Sequence, residues 1–195
     1  MKKIIREKGF TLVELMVVVA IIGILSAMVS LNYRSGQREL ALQRAANKLA
    51  QDIRVMQERA MAVEKSVECF KEDGTLKFTA YKYGFGIYAE NKDGKRNKYT
   101  LYGDCNGNAK YQDVPDEKYT IDLVDFNVAQ ISPANGFNKL NIVFEPPDPS
   151  VIIKNSPDSG SDSNLDTVDI ILSLVDDPTK TKTISINKVG LVEIQ

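Results

Sequence analysis

The sequence contains no histidine among its 195 residues. This absence excludes Ser-His-Asp triads, histidine general bases and histidine-ligated zinc sites. The glycine pattern of a P-loop is also absent, so the chain lacks the signature of an ATPase. The sequence shows no other paired catalytic constellation. We therefore expect a protein that is not an enzyme, with no cofactor and no metal.

The sequence also has little net charge, with 25 Lys and Arg against 26 Asp and Glu. Four basic residues and one acidic residue precede Phe10, so removal of that segment changes the net charge from −1 to −4. Nucleic-acid affinity rests on the neutralisation of phosphates by Lys and Arg, and this balance argues against a nucleic-acid partner. The length suits one modest globular domain with an appendage.

An apolar run follows this basic segment. Between residues 15 and 29, only Gly23 and Ser26 are not apolar. Residues 10–31 would form a helix of about 33 Å, which matches the hydrocarbon core of a bilayer. The positive-inside rule then puts the N-terminus in the cytoplasm and the rest of the chain outside. The sequence predicts a single-pass protein of the inner membrane with an extracytoplasmic head.

Three interpretations of this segment compete: a cleaved secretory signal, a plain signal anchor and a prepilin leader. Secretory cleavage needs small residues at two positions before the cut, and the candidates between residues 26 and 30 place Met or Val there. A plain anchor gives no reason for Glu14, an ionisable residue at the membrane edge. Both of these interpretations fit less well than the third.

The stretch Lys8-Gly9-Phe10-Thr11-Leu12-Val13-Glu14 resembles the class III signal of type IV pilins and type II secretion pseudopilins. The resemblance implies that prepilin peptidase cleaves after Gly9 and that the new amine of Phe10 is methylated. It also implies that Glu14 serves subunit assembly, by pairing with the amine of a neighbouring subunit. We expect Phe10 and Glu14, four residues apart, to share one helix face. Many family members have Pro where this chain has Leu31, so a kink there is not assumed.

The same resemblance implies the partners and the location of the protein. The partners are prepilin peptidase, other pilin or pseudopilin subunits, the inner-membrane assembly platform and membrane lipid. The protein would leave the inner membrane as part of a pilus or pseudopilus.

The remaining sequence predicts an α+β fold of the type IV pilin-like kind, with a long N-terminal helix packed on an antiparallel, β-rich head. The predicted divisions are a leader at 1–9, a helix at 10–65 and a head at 66–195. The helix is predicted to be transmembrane over about 12–31 and amphipathic over about 37–64. Its apolar stripe consists of Leu42, Ala46, Leu49, Ile53, Met56, Ala60 and Val63.

Strand-like runs alternate with turns beyond residue 66. They occupy 67–71, 75–83, 85–90, 98–102, 119–124, 139–144, 151–154, 168–175, 181–186 and 191–194. The proline-rich run at 146–149 and the polar run at 156–164 are predicted to be exposed loops.

A second resemblance is to the GspH/FimT-like minor pilins and pseudopilins. It is carried by the segments 49–54, 83–88 and 184–192. It implies a minor structural subunit, and the alternative is a tip adhesin or receptor that binds a surface, an exported substrate or DNA. Some members of that family bind DNA through a basic tail, which the C-terminal residues 191–195 do not provide.

Two further features have alternative interpretations. Cys69 and Cys105 are the only cysteines, and the extracytoplasmic location permits a disulfide, although two unpaired buried thiols would also fit. Residues 104–108 (D-C-N-G-N) have the alternating oxygen ligands that open a calcium loop. The match then fails at Ala109 and Pro115, and a polar turn explains the same residues.

Overall fold

The computed structural model describes residues 9–62, 67–70, 75–80, 84–91, 96–112, 117–123, 128–133, 138–146, 150–156 and 163–195. Within these ranges, side chains are described except at 29–35, 67–70, 76–80, 117–118, 128–129 and 133. The chain divides into two compact units, Met1–Arg38 and Glu39–Gln195.

A single helix, α1 (Leu12–Met61), begins in the first unit and ends in the second. Its 50 residues contain no proline, and it continues without interruption past Leu31. In the first unit, every described side chain from residue 9 to residue 28 is exposed. Among the helical residues that the structure describes, no stretch is both long enough and apolar enough to cross a membrane.

The second part of α1 buries one stripe in the head. Six of the seven predicted core positions are buried: Leu42, Ala46, Leu49, Ile53, Met56 and Ala60. Val63 lies outside the described residues. The 3.6-residue period aligns these side chains on one face, because positions three and four apart are neighbours on a helix surface. The predicted amphipathic stripe is therefore confirmed over residues 42–60.

Twelve strands are present in the described part of the head. They are β1 (Val67–Phe70), β2 (Leu76–Ala80), β3 (Phe85–Glu90), β4 (Lys98–Gly103), β5 (Glu117–Asp122), β6 (Val128–Pro133), β7 (Lys139–Phe144), β8 (Val151–Asn155), β9 (Ser163–Leu165), β10 (Thr167–Leu174), β11 (Thr181–Asn187) and β12 (Val192–Ile194).

The strands form three sheets, and every pairing between described strands is antiparallel. The largest sheet has the order β5-β4-β3-β7-β8-β9, the second β12-β11-β10-β6 and the smallest β1-β2. Most neighbours are also sequential along the chain, which is typical of a meander built from hairpins.

One core joins the helix to the two larger sheets. In β10, Val168, Ile170, Leu172 and Leu174 point into this core, whereas Thr167 and Asp169 face solvent. This alternation is the period of two expected for a strand with one buried face. The helix and the antiparallel head confirm the predicted α+β class.

Two strands contradict the sequence prediction. Strand β6 was not predicted, and it lies at the edge of its sheet, paired with β10, where the terminal Pro133 costs no ladder hydrogen bond. Strand β9 includes Ser163 and Asn164, which were predicted to lie in the exposed loop at 156–164. A short polar edge strand needs only backbone hydrogen bonds from its neighbour, so composition does not reveal it. Residues 147–149 and 157–162 of the predicted loops lie outside the described part of the chain.

Candidate functional site

The N-terminus of α1 is closed by a capping box. The Thr11 amide and hydroxyl both donate hydrogen bonds to Glu14 Oε2, at 3.2 and 3.1 Å. In return, the Glu14 amide donates to Thr11 Oγ1 at 3.3 Å. Thr11 therefore occupies the N-cap position and Glu14 the third helical position, and the pair satisfies amide groups that a helix end otherwise leaves unpaired.

This cap changes the predicted geometry of Phe10 and Glu14. The helix begins at Leu12, so Phe10 precedes the N-cap and does not share a helix face with Glu14 as the four-residue spacing predicted. The Phe10 side chain is 84% exposed, and a Cβ atom added to Gly9 would meet nothing within 4 Å. The bond between Gly9 and Phe10 thus lies in open, non-helical chain.

Sequence reasoning missed the role of Thr11. The signal was nevertheless present, because Thr11-Leu12-Val13-Glu14 has the Ser/Thr-x-x-Glu pattern that precedes an apolar run at a helix start. Glu14 therefore has a role within its own chain. A carboxylate also accepts several hydrogen bonds at once, so this role leaves room for an external partner.

The second part of α1 is held on the head by a buried polar cluster. Asp52 is 6% exposed, and it accepts hydrogen bonds from the Tyr99 hydroxyl of β4 and from Lys48 Nζ, the latter at 2.6 Å. Burial first, and then the hydrogen bond to Asp52 and its negative charge, raise the pKa of Tyr99 well above its usual range. The tyrosine is thus a neutral donor that fixes the helix against the sheet.

Residues 104–112 form a loop that contains the stretch 104–108, which has the opening pattern of a calcium site. The Asp104 carboxylate is buried and accepts backbone amides from Asn106, Gly107 and Ala109 at 2.7 to 3.0 Å. Ala109 adopts a φ of 54°, the left-handed conformation that usually requires glycine. Within the described part of the chain, no group of three or more His, Cys, Asp or Glu is placed to hold a metal.

A lysine completes this loop. Lys154 of β8 donates through its Nζ to the Asn108 carbonyl at 2.6 Å. The loop also covers the outer face of the large sheet, where Tyr111 stacks on Tyr88 with ring centroids 4.8 Å apart. These contacts make the residues a polar turn packed on a small aromatic cluster.

The two cysteines belong to different elements of the head. Cys105 is buried in this loop and is disulfide-bonded. Cys69, the other cysteine of the sequence, lies in β1 at a point where the register shifts, and its side chain is outside the described part of the structure.

Comparison with known proteins gives one match. Residues 5–30 match the family model of the prokaryotic N-terminal methylation motif. The match includes the exposed Gly9–Phe10 bond and both residues of the capping box. No curated protein and no solved structure matches the chain.

Proposed function

We propose that this chain, a type IV pilin-like protein by its N-terminal methylation motif, is a minor structural subunit of a type IV pilus or a type II secretion pseudopilus. The single observation that carries the proposal is the methylation motif at residues 5–30, which prepilin peptidase substrates share. Such subunits are typically not enzymes. The GspH/FimT-like type remains part of the proposal and is supported by the β-rich head that ends in the β11–β12 hairpin.

The proposed roles follow from the exposed N-terminus. Prepilin peptidase cuts after Gly9, which lies in open chain, and the amine of Phe10 is then methylated. Glu14 receives the positively charged amine of an adjacent subunit during assembly. A charge inserted into an apolar bundle is costly without such a partner, and the Glu14 carboxylate would supply one.

The proposed location follows from the same segment. The apolar residues up to Met28 anchor the subunit in the inner membrane, with residues before Gly9 in the cytoplasm and the head outside. Pilin subunits, the assembly platform and lipid are the partners there. We further propose that Cys69 is bridged to Cys105, because the sequence offers no other intrachain partner for the disulfide of Cys105.

N-terminal analysis of the membrane-derived protein tests the proposal. We expect the purified chain to begin at Phe10 and to carry a methylated amine, as measured by intact mass and N-terminal sequencing. A Gly9→Val variant is the matched control, because the branched side chain would crowd the backbone beside the cleaved bond where glycine allows the peptidase a close approach, and it should retain Met1. A wild-type chain that begins at Met1, or anywhere after Ser26, contradicts the proposed function.

A further inference from the structure

The four-stranded sheet carries a groove of about 340 Å³ on the face that points away from the core. The groove lies over β10, β11 and β12, and its lining includes Asp169, Ser185, Leu191 and Glu193. We call it the acidic groove. Asp169 and Glu193 are both exposed, and they are the charged residues of its described lining. A surface patch of one sign favours a partner of the opposite sign.

Three side chains of the acidic groove form a row across three neighbouring strands. Ser185 of β11 is paired with Asp169 of β10 on one side and with Glu193 of β12 on the other. Adjacent strands lie about 4.8 Å apart, so about 10 Å separates the backbones of Asp169 and Glu193. Directly paired residues project from the same face of a sheet. The two carboxylates therefore border the same small volume above Ser185.

This row offers hydrogen-bond acceptors. The Ser185 hydroxyl donates its single hydrogen to Asp169 Oδ1 at 2.6 Å, so its oxygen presents lone pairs to the groove. Carboxylates act only as acceptors. Three acceptors around one point match an ammonium group, which has three donors, whereas the planar guanidinium of arginine pairs best with one carboxylate. The row therefore has the chemistry of a site for a lysine side chain.

Two cations flank the acidic groove without lining it. Arg54 of α1 donates to the Val192 carbonyl at 3.4 Å, and Lys188 lies 2.7 Å from the carboxylate of Asp166. Lys182 of β11 alternates to the opposite face of the sheet. With the flanking side chains included, three carboxylates stand against two cations, so the region remains negatively charged.

An apolar side chain stands beside the row. Leu191 is 55% exposed and lines the same groove, two positions before Glu193. Its amide donates to Asn187 Oδ1 at 3.0 Å. A Cβ atom added to the preceding Gly190 would lie 2.5 Å from Gln57 Nε2 of α1, so the turn is closely packed against the helix. A side chain on a fixed backbone loses little conformational freedom when a partner covers it.

We propose that the acidic groove docks a lysine of a different subunit of the same assembly, with an apolar residue of that subunit against Leu191. The inference rests on the proposed function, because a minor subunit has mainly subunits of other kinds as its neighbours. The negative lining disfavours nucleic acid and anionic lipid, since like charges repel. This contact buries far less than the roughly 1,200 Å² of a stable free complex, so it forms between subunits that the assembly already holds together.

Zero-length crosslinking of assembled filaments that contain the full-length chain tests the docking. A water-soluble carbodiimide joins a carboxylate to a lysine amine in contact with it, and takes up the water that is lost as the amide forms. We expect an amide bond from Asp169 or Glu193 to a lysine of a different subunit, identified by mass spectrometry of the digested filaments. The crosslink should disappear in the double variant Asp169→Asn and Glu193→Gln, and it should persist in the control Glu58→Gln.

Three other results of this experiment overturn the docking. They are a crosslink from these carboxylates to a second copy of this chain, no crosslink in filaments that contain the chain, and a crosslink that persists in the double variant. Absence of the wild-type chain from filaments contradicts the proposed function, and the docking with it.

A charge reversal gives a second measurement. Glu193→Lys should lower incorporation into filaments by about tenfold or more, because two ammonium groups would then meet in the acidic groove. Glu58→Lys is the matched control, since Glu58 is an exposed glutamate of α1 outside the described lining. Both variants should be processed to Phe10 and should keep the melting temperature of the wild type. Equal incorporation of the two variants contradicts the docking.

Discussion

The two parts of α1 differ in what surrounds them, although they belong to one continuous helix. From Leu12 to Met28 the residues are almost all apolar, and every side chain is exposed. From Leu42 to Ala60 the apolar residues form a single stripe, which is buried in the head. The first part is apolar all round and the second is amphipathic.

This difference shows where each part finds its stabilising contacts. The apolar stripe of the second part is covered by its own chain, because the sheets of the head pack against it. Exposed apolar surface of the size in the first part calls for an external partner, either lipid or other subunits. The polar residues differ in the same way. Asp52 is buried and paired with Tyr99 and Lys48, whereas Glu14 is exposed and accepts hydrogen bonds from Thr11 of its own cap.

The largest expected effect concerns the first part of α1. Glu14→Ala should leave cleavage, membrane insertion and head folding intact while it prevents incorporation into filaments. Loss of one partner from a buried ion pair typically costs about 3 to 5 kcal/mol, so assembly should fall on the order of a hundredfold or more. The measurement compares processed protein in the membrane and sheared-filament fractions.

Two matched variants separate pairing from helix capping. Glu14→Gln keeps the capping box, because an amide also reaches the N-cap, but it removes the charge. Thr11→Val removes the cap hydroxyl and keeps the carboxylate, at a cost of about 0.5 to 2 kcal/mol in helix stability. If pairing governs assembly, Glu14→Gln fails like Glu14→Ala and Thr11→Val assembles. Normal incorporation of Glu14→Gln would show that the carboxylate matters only as a cap.

The next largest effect concerns the disulfide of the head. The head, Glu39–Gln195, is a compact unit separate from the first part of α1. If Cys69 and Cys105 are bridged, the oxidatively produced head should show no free thiol when it is denatured without reductant. Reduction should then lower the free energy of unfolding by roughly 3 to 4 kcal/mol in the chain-entropy model. Thiol labelling and urea unfolding measure the two results. Labelling of both cysteines in the unreduced protein would exclude the bridge.

A smaller effect tests the attachment of α1 to the head. Tyr99→Phe removes the hydroxyl that donates to Asp52, and it should lower the free energy of unfolding by about 1 to 3 kcal/mol. Lys48 still pairs with Asp52 in this variant. Urea unfolding of the head provides the measurement, and an unchanged midpoint would show that the cluster does not hold the helix.

The same tyrosine gives a pH dependence. Its pKa is raised in the folded state, so the neutral form is favoured there, and this contribution is complete below the unfolded value of about 10. Above pH 10 the unfolded chain releases the proton and the folded chain keeps it, so stability should fall by about 1.4 kcal/mol per pH unit. The stability difference between wild type and Tyr99→Phe should therefore shrink above pH 10. A stability difference between the two proteins that stayed constant up to pH 11 would contradict the raised pKa of Tyr99.

The smallest effect concerns the loop at 104–112. Lys154→Met keeps the length of the side chain but removes the donor to the Asn108 carbonyl, and it should cost about 0.5 to 1.5 kcal/mol. Lys182→Met in β11 serves as the control and should change stability by less than about 0.5 kcal/mol. Calcium and chelator should leave the wild-type melting temperature unchanged. Stabilisation by calcium would restore the calcium interpretation of Asp104.

Regular patterns in the sequence predicted most of the fold. The buried stripe of α1 follows from apolar residues at spacings of three and four. Strands such as β10 follow from alternating apolar residues, because one face of the sheet is buried. The residues of the class III signal also form a local pattern, because each one occupies a fixed position in a short segment. They therefore predicted the methylation motif.

The remainder depended on contacts that no local pattern encodes. Strands β6 and β9 are edges that a neighbouring strand recruits through its backbone, so their own composition gives little signal. Ala109 occupies a left-handed position because Asp104 accepts its amide at 2.7 Å. Lys48 and Asp52 are four residues apart and pair within one helix, whereas Tyr99, the other donor to Asp52, lies 47 residues away in the sequence.

The capping box also fixes the residue at which α1 begins. If prepilin peptidase cuts after Gly9, as proposed, it acts on a bond that lies before Thr11, in chain that needs no unwinding before it enters a proteolytic cleft. Only Phe10 then projects beyond the N-cap, so the new amine has a short tether to a helix end with satisfied amides. Under the proposed processing, each subunit would therefore carry its new amine at the same short distance from the start of α1.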